Sequence, residues 1–310
     1  MISSFFSKTK PINYVVLSVS LFLVYWSFQM LLKEEQWTVD GIAVQLGVSV
    51  MLIISFFLTN DILKQNKVAS SSSYALLFFV LLTVLFPKGI LDNNAVLANF
   101  FLLLALQRVL ALKSIKNVKH KIFDATIWVC FASLFFDWAI LFLMVVIFSI
   151  ITYQGKQFKN WLVPIAGILA FLLLLTTLLF VFDARNVMAD HYQLGFKPVL
   201  INFFNWRLHI KIDIYLFLVV ILILVDFFKY RKKGAGKLIM SRIILLFFII
   251  GVMVNFLESR TASAILLTFF PAAVFMTNYL DAIKKIRLKE ALLWMSILFP
   301  LVLFLVEYTS

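Results

Sequence analysis

The chain has 310 residues, of which 63% are hydrophobic and 14% are charged, and its mean hydropathy is +1.02. This composition lies outside the range of soluble globular proteins and is typical of a chain that crosses a membrane many times. The formal net charge of +13 would suggest a nucleic-acid partner in a soluble protein, so the placement of the basic residues decides its meaning.

A series of apolar runs is long enough, or nearly long enough, to cross ~30 Å of hydrocarbon as helices. The first, residues 14–32, leads into Lys33-Glu34-Glu35 without a small-residue cleavage site, so we expect a retained span rather than a signal peptide. The later runs are residues 42–60, 74–86, 95–112, 122–153, 161–182, 212–228, 243–257, 262–280 and 291–306.

The run 122–153 is too long for one straight span, because 32 residues at ~1.5 Å each would reach about 48 Å. If it breaks near Asp137 into two short helices, the chain has about eleven spans and most Lys and Arg fall on the side of the N-terminus. If it stays unbroken, the basic residues divide evenly. The positive-inside rule therefore favours the break, with the N-terminus cytoplasmic and the C-terminus outside.

In this topology the basic excess lies in cytoplasmic loops, which argues against a nucleic-acid partner and makes membrane lipids the expected one. The fold class is then all-α, a polytopic transmembrane bundle formed by a single domain over residues 1–310. Each half of the broken run reaches only ~22 Å, so Asp137 should lie below the outer surface. A carboxylate at that depth usually lines a protein cavity or a watery vestibule, although a solvated turn would also explain it.

Common catalytic signatures are absent from the sequence. It has no G-x-x-x-x-G-K-[ST] loop, no H-E-x-x-H pair and no G-x-S-x-G elbow, which argues against ATP hydrolysis, zinc proteolysis and α/β-hydrolase chemistry. The lone Cys130 falls inside an apolar run and suggests neither a disulfide nor a zinc cluster. We therefore expect no metal site, and the sequence identifies no cofactor.

The interval 183–213 cannot sit in hydrocarbon, and we expect an outer loop there that ends in a short interfacial helix beginning at Pro198. Its reactive side chains include Arg185, His191, Arg207 and His209. Arg suits bidentate phosphate binding and His transfers protons near neutral pH, so these four could gather a phosphate-bearing headgroup. A passive interfacial anchor is the alternative. Arg260, in another outer loop, could join them or simply pair with Glu258.

A resemblance appears in residues 94–183, where LALQRVLALKSIKNVKHK precedes the FFDW turn and YQGKQFKNW precedes the next span. This order is similar to the central part of the GT-C superfamily of polyprenyl-linked glycosyltransferases and related polysaccharide polymerases. There, a basic cytoplasmic loop is followed by two short helices that meet at the outer face. The whole chain also resembles an uncharacterised family of multi-pass proteins of the bacterial inner membrane, which implies that location.

The glycosyltransferase resemblance implies a GT-C-like bundle with an outer acidic residue acting as base toward an acceptor hydroxyl. The acids in that position are Glu34, Glu35, Asp40 and Asp137. It also implies a polyprenyl phosphate carrier, held by Arg185, Arg207 or Arg260.

We therefore expect a membrane glycosyltransferase or polysaccharide polymerase-like protein that uses a polyprenyl-phosphate-linked sugar at the outer face. The alternative is a non-catalytic membrane subunit bound to a protein partner in an envelope or secretion complex. A lipid or solute transporter is the third reading.

Overall fold

The computed structural model describes residues 2–7, 10–32, 38–66, 68, 72–114, 116–155, 157–183, 206–230, 235–257 and 263–309. Within these ranges every regular element is a helix, as the apolar runs predict. The α-helices are α1 Ile2–Phe6, α2 Pro11–Leu32, α3 Val39–Asn66, α4 Tyr74–Leu85, α5 Pro87–Leu91, α6 Asn93–Leu110, α7 Val118–Ser133, α8 Leu143–Gln154, α9 Phe158–Trp161, α10 Val163–Val181, α11 Trp206–Tyr230, α12 Ala235–Leu257, α13 Phe269–Ala282 and α14 Ile286–Thr309. The 3₁₀ segments are Ala111–Lys113, Asp137–Phe142 and Ser263–Thr268.

In the described ranges, seven helical segments are long and apolar enough to cross a membrane. They are Pro11–Leu32, Val39–Asn66, Asn93–Lys113, Asp137–Gln154, Phe158–Val181, Gly236–Leu257 and Ser263–Ala282, and Tyr74–Leu85 is a shorter apolar helix. The chain is therefore a multi-pass helical membrane protein, while the total of eleven spans and their sidedness remain predictions.

Hydroxyl side chains on the apolar helices donate to the backbone of their own helix. Ser20 Oγ donates to the Val16 carbonyl at 2.7 Å, and Thr126 Oγ1 donates to the Ile122 carbonyl at 2.9 Å. This bonding removes the cost of placing a hydroxyl in an apolar environment without a partner. Serine and threonine can therefore occupy these helices without marking a functional site.

The helices form a buried centre and an exposed periphery. The segment Ser263–Ala282 is the most enclosed of the seven, since 83% of its most apolar 18-residue stretch is buried. It packs against α4, α11 and α12. Phe158–Val181 is the most exposed of the seven, since only 11% of its corresponding apolar stretch is buried. Its helix α10 packs against α7, and a Cβ on Gly167 would lie 3.0 Å from Cβ of Thr126. The centre is thus built from protein contacts, and the periphery presents apolar side chains outward.

The predicted break in the run 122–153 is confirmed. Helix α7 ends at Ser133, Phe136 is extended with φ −138° and ψ 105°, and a 3₁₀ helix begins at Asp137. Helix α8 then returns toward the beginning of α7, because it contacts both α7 and Ala111–Lys113. The run therefore folds back on itself, as its length and the charge distribution predict.

Candidate functional site

A second helix break and a second 3₁₀ segment lie in the same region. Helix α4 stops at Leu85, Phe86 adopts φ −124° and ψ 74°, and Pro87 begins α5 because its fixed φ suits a first helical position. The 3₁₀ segment is Ser263–Thr268, which continues directly into α13. Helix α5 packs on this segment, and a Cβ on Gly89 would lie 3.4 Å from Cβ of Leu266.

Helix α12 joins these breaks. The Phe142 ring, at the end of one 3₁₀ segment, lies 4.6 Å from the Phe247 ring, centroid to centroid. One turn further along α12, a Cβ on Gly251 would lie 3.1 Å from Cγ2 of Thr268, at the end of the other. Both 3₁₀ segments therefore finish against neighbouring turns of one helix. We call residues 86–99, 134–142, 247–257 and 263–268 the broken-helix end.

Several buried side-chain amide atoms at the broken-helix end have no hydrogen-bond partner. Asn99 is 0% exposed, and neither its Nδ2 nor its Oδ1 is bonded. The buried Oδ1 atoms of Asn93 and Asn255 are also without a partner. Buried polar groups are nearly always satisfied, and leaving one unmet costs about 1–3 kcal/mol. These amides therefore hold unused capacity for a ligand that both donates and accepts hydrogen bonds.

Asp137 is half-buried and occupies the first position of the 3₁₀ helix Asp137–Phe142. That helix contacts α12, which carries Asn255, and α12 contacts Ser263–Thr268, which in turn contacts α6 with Asn93 and Asn99. The carboxylate and the unsatisfied amides therefore lie on elements that pack against one another. A carboxylate can accept a proton, and amides can orient hydroxyl groups.

The other predicted site residues fall in two groups. Asp40 lies exposed in the first turn of α3. The backbone of Arg207 and His209 belongs to the first turn of α11, which is continuous to Tyr230, and their side chains lie outside the described residues. Glu34, Glu35, Arg185, His191 and Arg260 also lie outside the described residues, as does the start of the predicted interfacial helix. Their grouping with Asp137 thus stays a prediction.

Sequence reasoning missed the amides. Asn99 sits inside the apolar run 95–112, where a residue with two hydrogen-bonding groups is out of place, and this was the available signal. Asn93 and Asn255 stand at helix ends, where asparagine is common and carries no such signal.

Polar groups near the chain's N-terminus are bonded to one another. Ser3 donates from both its backbone N and its Oγ to Oε1 of Glu290, at 3.0 and 2.6 Å. The Tyr74 hydroxyl donates to the Ser3 carbonyl at 2.8 Å. Nδ2 of Asn13 donates to the Phe5 carbonyl at 3.0 Å and to Ser73 Oγ at 3.3 Å. These bonds fasten α1 to the starts of α2, α4 and α14, and we call residues 2–7, 10–13, 73–74 and 281–290 the N-terminal clasp.

Comparison with known proteins gives one family. The model of a family of unknown function, DUF6427, matches residues 5–309. No curated protein and no solved structure matches the chain.

Proposed function

We propose that this chain, which belongs to the DUF6427 family of unknown function, is a glycosyltransferase of the bacterial inner membrane. It would transfer a sugar or oligosaccharide from a polyprenyl phosphate carrier at the outer face. The observation that carries the proposal is Asp137, a half-buried carboxylate at a helix break, on elements packed with those bearing unsatisfied amides. A base and a set of hydroxyl-binding groups are what glycosyl transfer to an alcohol requires.

The depth of Asp137 in the membrane supports this assignment. Asp124 pairs with Arg108 at 3.2 Å, and both side chains are more than a third exposed, so this ion pair belongs at the level of water or headgroups. From Asp124 to the end of α7 at Ser133 the helix advances about 14 Å. Asp137 follows after a short turn. It therefore lies inside the hydrocarbon layer, which is ~30 Å thick. A carboxylate at that depth usually pairs with another polar group or lines a water-filled cavity, and both arrangements are common at functional sites.

In the proposed reaction, a carboxylate oxygen of Asp137 takes the proton of an acceptor hydroxyl. The acceptor oxygen forms a bond to the anomeric carbon, and the bond from that carbon to the carrier phosphate breaks. The polyprenyl phosphate leaves with the electron pair. Asn93, Asn99 and Asn255 would orient sugar hydroxyls.

The remaining predicted residues keep the roles that the resemblance implies. Arg185, Arg207 and Arg260 would hold the departing phosphate, assisted by His191 and His209. The alternative bases are Glu34 and Glu35, expected in the first outer loop, and Asp40 in the first turn of α3.

The test is a transfer assay with purified protein in nanodiscs and a radiolabelled polyprenyl-linked sugar. Asp137→Asn keeps the shape of the side chain and removes its basicity, so we expect transfer to fall by about 10²–10⁴-fold. Asp124→Asn, near the other end of the same hairpin, is the matched control and should retain transfer. Full activity in Asp137→Asn would overturn the proposed role of Asp137.

The non-catalytic subunit remains the second candidate, and α10 is the observation that favours it. Its side chains Leu169, Leu173 and Phe180 are exposed, and the helix presents this apolar face away from the bundle. A partner protein could cover that face. In that case Leu173→Trp would release a co-purifying protein, while Asp137→Asn would leave the cellular phenotype unchanged.

A further inference from the structure

A polar cavity lies where the loop before α7 meets the turn between α8 and α9. Its volume is about 290 Å³, and its polar lining consists of Asn117, Lys119, His120, Gln154, Gln157 and Asn160. This volume suits a small ligand or a headgroup rather than a large cofactor. Because the hairpin α7–α8 folds back, these residues meet although they stand about 40 positions apart in the sequence.

The start of α7 gives the cavity its positive character. Asn117 precedes the helix in the left-handed conformation, with φ 53° and ψ 39°, which asparagine tolerates better than most residues. The chain therefore turns sharply into α7, and Lys119 and His120 lie in its first turn, where free backbone N–H groups and the helix dipole also favour an anion.

The neighbouring lysine has a different role. Lys121 Nζ donates to the Ala111 and Ser114 carbonyls at 2.9 and 3.2 Å and to Ser114 Oγ at 3.1 Å. Burial, with a smaller contribution from Arg108, lowers the pKa of Lys121. Lys121 therefore holds the loop closed, and Lys119 is the lysine that lines the cavity.

Asn160 forms the cavity's inner wall and is incompletely bonded. It is 0% exposed, and its Nδ2 donates to Oε1 of Gln157 at 3.3 Å. Its Oδ1 has no hydrogen-bond partner. A buried amide oxygen without a donor is costly, and a ligand that brings an O–H or N–H group would satisfy it. The cavity is therefore suited to a ligand with an anion at one side and a donor at the other.

We propose that this cavity binds a phosphate-bearing ligand that also carries a hydroxyl or ammonium donor. The phosphate lies against Lys119, His120 and the first backbone N–H groups of α7, and the donor reaches Oδ1 of Asn160. Gln154 and Gln157 can bond to the remaining oxygens. In the predicted topology the cavity faces the cytoplasm, so the ligand is either the headgroup of a cytoplasmic-leaflet phospholipid or a small soluble phosphate ester.

The experiment measures binding to the full chain in phosphatidylcholine nanodiscs by isothermal titration calorimetry. The probes are sn-glycerol 3-phosphate, phosphoethanolamine and inorganic phosphate, and native mass spectrometry of nanodiscs containing phosphatidylglycerol or phosphatidylethanolamine covers the lipid source. We expect Lys119→Gln to weaken binding of every phosphate ligand about tenfold, which corresponds to the loss of one charged contact. Lys116→Gln, an exposed lysine of the same loop outside the cavity lining, is the control and should change binding less than twofold.

Asn160→Leu tests the donor contact. It should weaken binding of the two phosphate esters about fivefold and leave the affinity for inorganic phosphate unchanged. Binding of the soluble phosphate esters would identify a small soluble ester as the ligand. Phospholipid that is retained by the unmodified protein and lost from the variants would identify a lipid headgroup as the ligand. Equal losses in Lys119→Gln and Lys116→Gln would overturn the proposal, as would absence of binding in all arms. Since the Lys119 side chain is exposed, we expect Lys119→Gln to fold, and its affinity tests the proposal even if Asn160→Leu does not fold.

Discussion

The N-terminal clasp and the broken-helix end use similar polar side chains in opposite ways. In the clasp, Asn13 is 0% exposed and its Nδ2 bonds to both Phe5 and Ser73. At the broken-helix end, Asn99 is equally buried and neither of its amide atoms is bonded. The clasp therefore uses its polar groups to hold helices together. At the broken-helix end both amide atoms of Asn99 are without a partner, and the proposed function uses this unmet hydrogen-bonding capacity.

The difference also concerns the backbone. The clasp joins ordinary helix starts, whereas the broken-helix end interrupts helices at Phe86 and Phe136 and replaces α-helix by 3₁₀ helix at Asp137 and Ser263. Interrupted helices within a membrane free backbone groups that must be satisfied by other parts of the protein or by a ligand. The clasp thus joins intact helices, whereas the proposed function uses the region in which helices are interrupted.

Replacing one buried amide in each region tests whether the two regions differ in stability. We expect Asn13→Leu to lower the free energy of unfolding by about 3 kcal/mol, because it leaves the Phe5 carbonyl and the Ser73 hydroxyl without their donor. Asn99→Leu removes no bond and fills the site with apolar volume, so its stability should stay within about 1 kcal/mol of the unmodified protein or rise.

Thermal unfolding of both variants in the same detergent measures the difference. Transfer activity should respond in the opposite sense, falling in Asn99→Leu and persisting in Asn13→Leu. An Asn99→Leu variant as unstable as Asn13→Leu would mean that Asn99 is structural.

A second comparison tests how tightly the broken-helix end is packed. A Cβ on Gly251 would already lie 3.1 Å from Thr268 and 3.6 Å from the Leu267 carbonyl, so Gly251→Leu forces α12 away from the 3₁₀ segment. Overpacking of this kind costs about 1–3 kcal/mol. Gly47, in the peripheral part of α3, has nothing within 4 Å of its added Cβ, so Gly47→Leu should leave the unfolding temperature unchanged. Equal tolerance at both glycines would show that the broken-helix end is loosely packed.

The smallest expected effect is a pH dependence of the clasp. The Ser3 hydroxyl donates to Glu290 and lowers the pKa of that carboxyl below its ordinary value, and the backbone N–H of Ser3 adds to this effect. A depressed pKa in the folded state means that the bond stabilises the clasp above the ordinary carboxyl pKa and is lost as pH falls through the lowered value. Helix α1 should therefore loosen in acid.

Fluorescence anisotropy of a dye attached through Ser7→Cys follows this loosening, because the exposed Ser7 directly follows α1 and the native Cys130 is buried. Glu290→Gln keeps an accepting oxygen without a titrating proton, so its anisotropy should be independent of pH. An unchanged acid transition in Glu290→Gln would assign the loosening to another group.

Much of the fold could be predicted from the sequence. The apolar runs 42–60 and 95–112 correspond to α3 and α6, and the break in the run 122–153 follows from its length and the distribution of Lys and Arg. These predictions succeed because a helix must satisfy its own backbone in hydrocarbon and because the membrane sets its length.

The candidate site could be predicted only in part. Asp137 could be found because a carboxylate inside an apolar run has few structural explanations. Asn93 and Asn255 could not, since asparagine at a helix end is ordinary and its lack of partners depends on neighbours from α12 and the 3₁₀ segment Ser263–Thr268. The cavity at Asn160 was missed for the same reason, because residues 117–120 and 154–160 meet only when the hairpin closes.

The order of residues was enough to predict a helical membrane protein and the place where its longest apolar run must turn, because hydrophobicity and length act locally along the chain. Which polar groups find a hydrogen-bond partner and which do not depends instead on how the helices pack. Hydrogen bonding is a property of pairs of groups, and the second member of each pair is brought from a distant part of the chain by packing.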